Sequence, residues 1–453
     1  MSIEFVCLAT IFVVAIICFS ILKRPLHEGM FTSFVVLLLI TGTMDHASAY
    51  IADALRSPSL YVIVVFIVSA HLLSKTPIID DCIAVILSVF GRLTGGAGYV
   101  AIIGSTYMGS LSGSGPGNVA TTGVFTIPAM KNSGFPPHLA ANVEAHASTM
   151  GNMIPPAGMI AIAFAELDKL YPNTYTMSQF WLLLWGIATI FIMQRIITMY
   201  VMCKFYKVKP MGKKDIPDFG RAISHGWKAV FLPIIVFLPF FLDSRCNDFF
   251  VSRLGGQGAR AFSDSILLFI PSMIVICAVL LSGNATIRKF SLGFLFESIA
   301  GGMQKVVPTG ALVLFAYFVS NCLDDINVGD AVGEFVGGLR LNFVVLMFFI
   351  PLFTAILGML IPGSTQVKIF GPIIITIVAT AGGNPFLAAA MLPCICGAMH
   401  GVTPPYAVCV YTAMGIAGAD FKKTMSNCFV WVGLHYILSV IMLSGILPIW
   451  GLV

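Results

Sequence analysis

Apolar runs near the ~20 residues needed to cross a bilayer recur along the whole chain. They fall at 3–22, 30–43, 58–74, 179–202, 223–242, 264–282, 306–322 and 427–447. Nothing else constrains the fold as tightly. In hydrocarbon every backbone N–H and C=O must find a partner inside the protein, which such segments achieve as helices. Composition agrees: 58% of residues are hydrophobic and 10% charged, against about 45–50% and about 25% in soluble domains. The expected fold is an all-α polytopic membrane protein, and a soluble protein with a large core is excluded.

The first run, "MSIEFVCLATIFVVAIICFSILKR", has no basic start and no small-residue cleavage site. It reads as a retained span and not as a signal peptide. Lys and Arg gather at 23–24, 204–214, 288–289 and 422–423. The positive-inside rule puts these in the cytoplasm and both termini in the periplasm. The densest cluster, "KFYKVKPMGKK", is then a topology anchor and not a nucleic-acid site. "RKFSLGFLFESIAGGMQK" and "LDDINVGDAVGEF" read as amphipathic helices at the lipid interface. The 11 cysteines show no framework spacing and read as small core hydrophobes. Cys394-Ile395-Cys396 is not a metal spacing.

Two regions resist reading as simple spans. Residues 97–130 are two apolar arms around "MGSLSGSGPGNVATTG" (108–123), with basic residues at both ends. Residues 342–381 are two arms around "IPGSTQ", with flanks poor in Lys and Arg. Each enters and returns on one side, as a re-entrant helical hairpin, and the two start from opposite faces. Each is followed by a helix broken at Pro-Pro, over 138–167 and 386–418. A prolyl pair removes two backbone donors and clashes with the preceding turn. The landmarks match in order: Pro116-Gly117 with Pro362-Gly363, Pro137 with Pro385, and Pro155-Pro156 with Pro404-Pro405. Their offsets are 246 to 249 residues. Inverted repeats with broken helices meeting at mid-membrane are the pattern of secondary transporters.

Irregular backbone at membrane depth survives where it lines a cavity or is buried in protein. Hairpin tips and helix breaks offer carbonyls and hydroxyls to a hard cation, and half-helix N-termini suit an anion. The candidates are Ser112, Ser114, Asn118, Thr121, Gly151 and Asn152 in the first half. In the second they are Gly363, Ser364, Thr365, Gly397 and Thr403. The expected substrate contacts are Asn118, Thr121, Thr365 and Lys368.

Glu144 and Lys368 are ionisable groups in apolar helices, hence functional candidates. Lys368 is either a fixed charge for a carboxylate or a partner of Glu144; a structural pair or snorkelling is the bland alternative. His146 and His400 flank the breaks and read as core histidines. Arg195 reads as a scaffold charge. "GSGPGN" is no nucleotide loop, because no Gly-Lys-Ser/Thr follows. Gly109 and Gly113 also fit a small-xxx-small packing face. An intramembrane hydrolase is disfavoured, since no Asp lies in the hairpins or breaks, and no catalytic residue or cofactor is expected.

"GSLSGSGPGNVATTGVFTIPAMKNSGFPP" and "VEAHASTMGNMIPPAGMIAIAFAEL" resemble the large membrane subunit of tripartite ATP-independent periplasmic (TRAP) transporters. "HGWKAVFLPIIVFLPFFLDS", "LGMLIPGSTQ" and "HGVTPPYAVCVYTAMGIAGAD" continue the likeness in order. It covers roughly 28–430 and is greatest to the branch whose large subunit is often fused to the small one, although this chain has no room for that fusion.

The resemblance implies an ion-transporter architecture working as an elevator in the bacterial or archaeal inner membrane, as a sodium symporter. The partners it implies are a periplasmic binding protein delivering a small carboxylate and a small four-helix membrane subunit. It points to Ser112, Ser114, Gly151 and Asn152 for one sodium site and to Gly363, Ser364 and Thr403 for another. It divides the chain into scaffold (1–74), transport repeat 1 (75–168), scaffold with linking arm (169–322), transport repeat 2 (323–420) and a C-terminal helix (421–453). Gly115-Pro116-Gly117 and Lys368 depart from the family's usual tips. A self-sufficient anion carrier without a binding protein is the same-class alternative, and a channel is disfavoured by hairpins from opposite faces.

Overall fold

The structure, a computed structural model, describes residues 3–452 except 57–60, 62–64, 66–67, 70–71, 73–74, 113–114, 156, 211, 213–215, 231, 284–285, 287–289, 329–330, 332–333, 336–337, 339–341, 360–361, 405–406 and 450. Among the described residues every regular element is helical. The first four helices are α1 (Ile3–Ile16), α2 (Leu26–Thr41), α3 (Ala47–Arg56) and α4 (Ile78–Phe90). The first hairpin follows as α5 (Gly96–Ser112) and α6 (Gly115–Asn132), then the first broken helix as α7 (Pro137–Ser148) and α8 (Gly158–Leu170). The middle of the chain is α9 (Met177–Phe205), α10 (Phe219–Val230), α11 (Leu232–Leu281) and α12 (Leu292–Asp325). The second hairpin is α13 (Phe343–Gly358) and α14 (Gly363–Thr380). The second broken helix is α15 (Pro385–Leu392), α16 (Met399–Val402) and α17 (Val408–Ala417), and α18 (Phe421–Leu443) completes the order.

Local chemistry sets the boundaries. Pro137 and Pro385 sit in the first turn of α7 and α15, where a missing N–H costs nothing. Asn384 Oδ1 accepts from the backbone N–H groups of Phe386 (2.9 Å) and Leu387 (3.2 Å). Thr176 and Gln179 form a capping box at the start of α9. Asp420 caps α18 through the Lys423 N–H at 2.9 Å.

Some sequence expectations change. The run 58–74 lies largely outside the described residues. Of "LDDINVGDAVGEF", Leu323–Asp325 close α12, and Gly329, Asp330, Val332 and Gly333 lie outside the described residues. Helices α3 and α4 are not anticipated as spans by hydropathy. The expected spans 223–242 and 264–282 are joined through "DSRCNDFFVSRLGGQGAR", where α11 is interrupted by non-helical backbone at Cys246 (φ −106°) and Gly255 (φ 71°). The positive φ at Gly255 is one glycine adopts readily. The interfacial segment before 306 and the span 306–322 are one helix, α12, since Gly301 and Gly302 do not interrupt it. Among the described residues four helical stretches are long and apolar enough to cross a membrane: Met177–Phe205, Gly363–Thr380, Pro385–Val402 and Phe421–Leu443.

The two halves interleave. Helix α8, the second part of the first broken helix, packs on α14 and α15 of the second half. Helix α17, the second part of the second broken helix, packs on α6 and α7 of the first half. Each hairpin therefore closes on its own leading half-helix and on the other half's trailing one. One apolar cluster joins Ile160, Ile162 and Leu167 to Ile374, Ile375 and Leu387. The other joins Val119, Ile127 and Leu139 to Val410 and Ala413.

Candidate functional site

The first broken helix loses its α geometry after Ser148. Thr149–Asn152 tighten into a 3₁₀ turn, and helix resumes at Gly158 after extended Ala157. Pro155 supplies the reason: it offers no N–H, and the residue before a proline avoids helical backbone. The second broken helix changes earlier than expected. Pro393 opens a π turn through Ala398, and the chain leaves the helix at Thr403. A π turn releases carbonyls from the regular ladder. Three of them have side-chain partners: Cys394 O pairs with His435 Nε2 (3.1 Å), Cys396 O with His400 Nδ1 (3.2 Å), and Gly397 O with Asn152 Nδ2 (2.8 Å).

Asn152 is thus a brace between the halves. Its Nδ2 donates to Gly397 O, and its Oδ1 accepts from the Gly115 N–H at 3.3 Å, at the first hairpin tip. Glycines bring the backbones this close. A Cβ at Gly109 would lie 2.7 Å from Gly151 Cα, and one at Gly363 would lie 2.7 Å from Cys396 O and 2.8 Å from Gly397 Cα. At Gly397 a Cβ would run into Met159 Sδ. Glycine permits such approach and other residues do not. The structure therefore gathers Gly151, Asn152, Gly363 and Gly397 at one junction of two breaks and two hairpins.

The remaining expected residues are placed less uniformly. Ser114 lies outside the described residues, as do the side chains of Ser112 and Thr121. Ser364 is half-buried in the first turn of α14. The Thr403 hydroxyl donates to Met399 O at 2.6 Å, which leaves its lone pairs available. Asn118 is fully buried, with Nδ2 donating to Ser105 O (2.6 Å) and Ser148 O (3.4 Å). Among the described residues its Oδ1 has no hydrogen-bond partner, and neither does the buried Thr365 hydroxyl. Buried polar oxygens left unpaired are costly. Both sit in the first turn of a hairpin's outgoing helix, and both are hard oxygen donors of the kind a sodium ion takes.

Lys368 does not pair with Glu144. Its Nζ is 2.7 Å from Glu166 Oε1 and 4.2 Å from the centre of the Tyr317 ring. Lys368 and Glu166 are both buried. Lys169 Nζ extends the network, 3.5 Å from Glu166 Oε2 and 3.4 Å from Asp324 Oδ2. Lys368 lies on α14 and reaches Glu166 on α8 and Tyr317 on α12. Glu144 instead sits among four hydroxyls. Ser105, Thr122 and Ser148 lie 2.9, 2.6 and 2.9 Å from Oε1, and Thr126 lies 2.5 Å from Oε2.

Arg195 and the histidines hold the breaks in place. Arg195 Nε donates to His146 O at 2.7 Å and Nη2 to Thr149 Oγ1 at 3.3 Å. His146 stacks on Trp431, with centroids 5.2 Å apart. Sequence reasoning misses Glu166, the Glu144 hydroxyls and the part played by Pro393. The available signals are an acid inside the apolar run "GMIAIAFAE" and hydroxyls at i, i+4 on α6.

Comparison with known proteins places this junction in context. Residues 5–447 match the family described as the tripartite ATP-independent periplasmic transporter, DctM component. The isethionate TRAP transporter permease protein DctMQ of Oleidesulfovibrio alaskensis is 21% identical over 441 residues. That match covers 95% of this chain and 64% of the relative, so the chain spans about two thirds of that protein's length. The 2,3-diketo-L-gulonate TRAP transporter large permease protein YiaN of Escherichia coli is 22% identical, covering 84% of each chain. In fold, the chain is similar to the YdaH transporter of Alcanivorax borkumensis, with TM-score 0.61 and 13% identity over 90% of this chain and 88% of that one. It is likewise similar to MtrF of Neisseria gonorrhoeae, with TM-score 0.58, 14% identity and coverage of 90% and 84%. The fold is shared with these two structures, and the chain belongs to the DctM component family of tripartite ATP-independent periplasmic transporters.

Proposed function

We propose that this chain carries a small organic acid inward across the inner membrane, coupled to sodium, by an elevator movement. A periplasmic binding protein hands over the substrate, and a small membrane subunit completes the scaffold. The observation that carries this reading is the Asn152 junction, where the breaks and hairpins of both halves meet near buried oxygens that have no partner among the described residues. The relatives are named for isethionate, 2,3-diketo-L-gulonate, C4-dicarboxylates and sialic acid, which supports an acidic substrate.

Sodium binding is assigned to the oxygens around Ser112, Ser114, Gly151 and Asn152, and around Gly363, Ser364 and Thr403. Asn118 Oδ1 and Thr365 Oγ1 join these sets, because both are buried and unpaired. Lys368 is withdrawn from the substrate set, because Glu166 neutralises it. Thr121 remains a substrate candidate.

The mobile unit holds 75–168 and 323–420. We add α9 and α18 to it, against the first expectation that 169–322 is scaffold; 421–453 is expected there only as a C-terminal helix. Arg195 on α9 and His435 on α18 bond to carbonyls of both broken helices from buried positions. Rigid-body sliding between them would strand a buried guanidinium, which is far too costly. The scaffold is then 1–74 with α10, α11 and α12, and both termini face the periplasm.

The test is uptake into liposomes holding this chain and the small subunit, with and without sodium and binding protein. Loss of uptake on either omission is expected. Uptake indifferent to both overturns the reading.

A further inference from the structure

We propose that Glu144 is a proton-binding site in the core of the first broken helix, its carboxyl held neutral in a cage of hydroxyls. Glu144 is fully buried on α7, between α5, α6 and α17. Its partners are Ser105 from α5, Thr122 and Thr126 from α6, and Ser148 one turn along α7.

The groups on the surrounding elements do not balance its charge. On α17 the buried Cys409 thiol packs toward Gly115 and Gly401 and carries no charge to offer. On α6 the Lys131 ammonium is spent on Ala417 O at 2.8 Å. On α7 the His146 ring lies against Trp431 and Cys428. On α18 His435 faces Cys394 O and Arg195. On α5 the titratable groups are the Tyr99 and Tyr107 phenols, which bring no positive charge. No ion pair among the described residues includes Glu144, whereas Glu166 in the following half-helix has Lys368 at 2.7 Å. A carboxylate without a counter-charge in a low-dielectric interior is expensive even where hydroxyls donate to it, and such a group takes up a proton instead.

The cage can accept and release that proton without moving a heavy atom. The Thr126 hydroxyl has one hydrogen but two acceptors in reach, Glu144 Oε2 at 2.5 Å and Thr122 O at 3.0 Å. A carboxyl proton on Oε2 fills the first contact and frees the Thr126 hydrogen for the second. On release, Thr126 turns its hydrogen back to Oε2. One O–H bond forms or breaks, the proton comes from or returns to water, and the cage charge changes from −1 to 0 or back. A proton dependence of the carrier follows, separate from sodium.

The test needs no substrate, so it stands or falls apart from the transport reading. Infrared spectra of the purified chain at neutral pH are compared between wild type and Glu144→Gln. A protonated-carboxyl C=O band present in wild type and lost in the variant is expected. Thr126→Val should shift that band, because it removes one hydrogen-bond partner; this arm stands even if Glu144→Gln does not fold. Absence of a protonated band in wild type, or a band unmoved by Thr126→Val, overturns the proposal.

Discussion

Lys368 Nζ and Glu166 Oε1 lie 2.7 Å apart with both side chains buried, and they tie the second hairpin to the trailing half of the first broken helix. Removing Glu166 leaves the Lys368 ammonium bare in the interior, removing Lys368 leaves Glu166 with Lys169 as its remaining partner, and removing both leaves only packing to repair. Glu166→Leu alone should destabilise the chain by about 3–5 kcal/mol, and Lys368→Met by less. The double variant should recover most of that loss in thermal unfolding. Additive losses would show that the two groups act independently.

Glycines at the junction should tolerate no side chain. Gly109→Ala and Gly363→Ala each put a methyl group 2.7 Å from backbone atoms of a broken helix. Each should cost about 1–3 kcal/mol by overpacking and weaken any sodium-dependent rise in melting temperature. Gly433→Ala, in α18 with nothing within 4 Å of its Cβ, is the control. It should be neutral or stabilising by up to about 1 kcal/mol, because alanine favours helix.

Asn152→Ala removes both ends of the brace at once. The Gly397 carbonyl and the Gly115 N–H lose their partner, at about 1–3 kcal/mol for each buried group left unpaired. Asn152→Asp keeps the acceptor for Gly115 but sets a carboxylate oxygen against Gly397 O. Both variants should lower apparent sodium affinity in a thermal-shift titration, and Asn152→Ala should stay below wild type in melting temperature even at saturating sodium, because the brace is lost whether or not the ion is bound.

Arg195→Lys should fail to substitute. The guanidinium serves His146 O through Nε and Thr149 Oγ1 through Nη2, a fork that a single ammonium cannot reproduce. A drop in melting temperature comparable to that of Arg195→Ala is expected. Wild-type stability in Arg195→Lys would leave the charge alone as the relevant property.

What can be read from the sequence is local. Pro155-Pro156, Pro404-Pro405 and the glycine-rich tips break helices through their own backbone chemistry, so both hairpins and both breaks are legible in the residues themselves. Pro393 is not, because a single proline can be absorbed by a π turn whose freed carbonyls find His435, His400 and Asn152. The Lys368 partner is hidden for a different reason. Glu166 and Glu144 are both acids in apolar helices, and only the crossing of α8 onto α14 decides between them. The continuity of α12 is masked by a change of composition partway along it, which hydropathy reads as a boundary and the backbone does not.

The exchange of trailing half-helices has a consequence for how such a chain can be cut and how it can have arisen. A half-length polypeptide ending near the basic loop at 204–214 would expose the faces of α6 and α7 that α17 covers, and the face of α8 that α14 covers. It has no way to bury them alone, but a second polypeptide of the same pattern would bury both by swapping its own trailing segment. The single chain is built like a swapped dimer whose two members have been joined end to end. Separately expressed halves should therefore be degraded singly and recovered together, and recovery of either half by itself as a folded membrane protein would contradict the interlock.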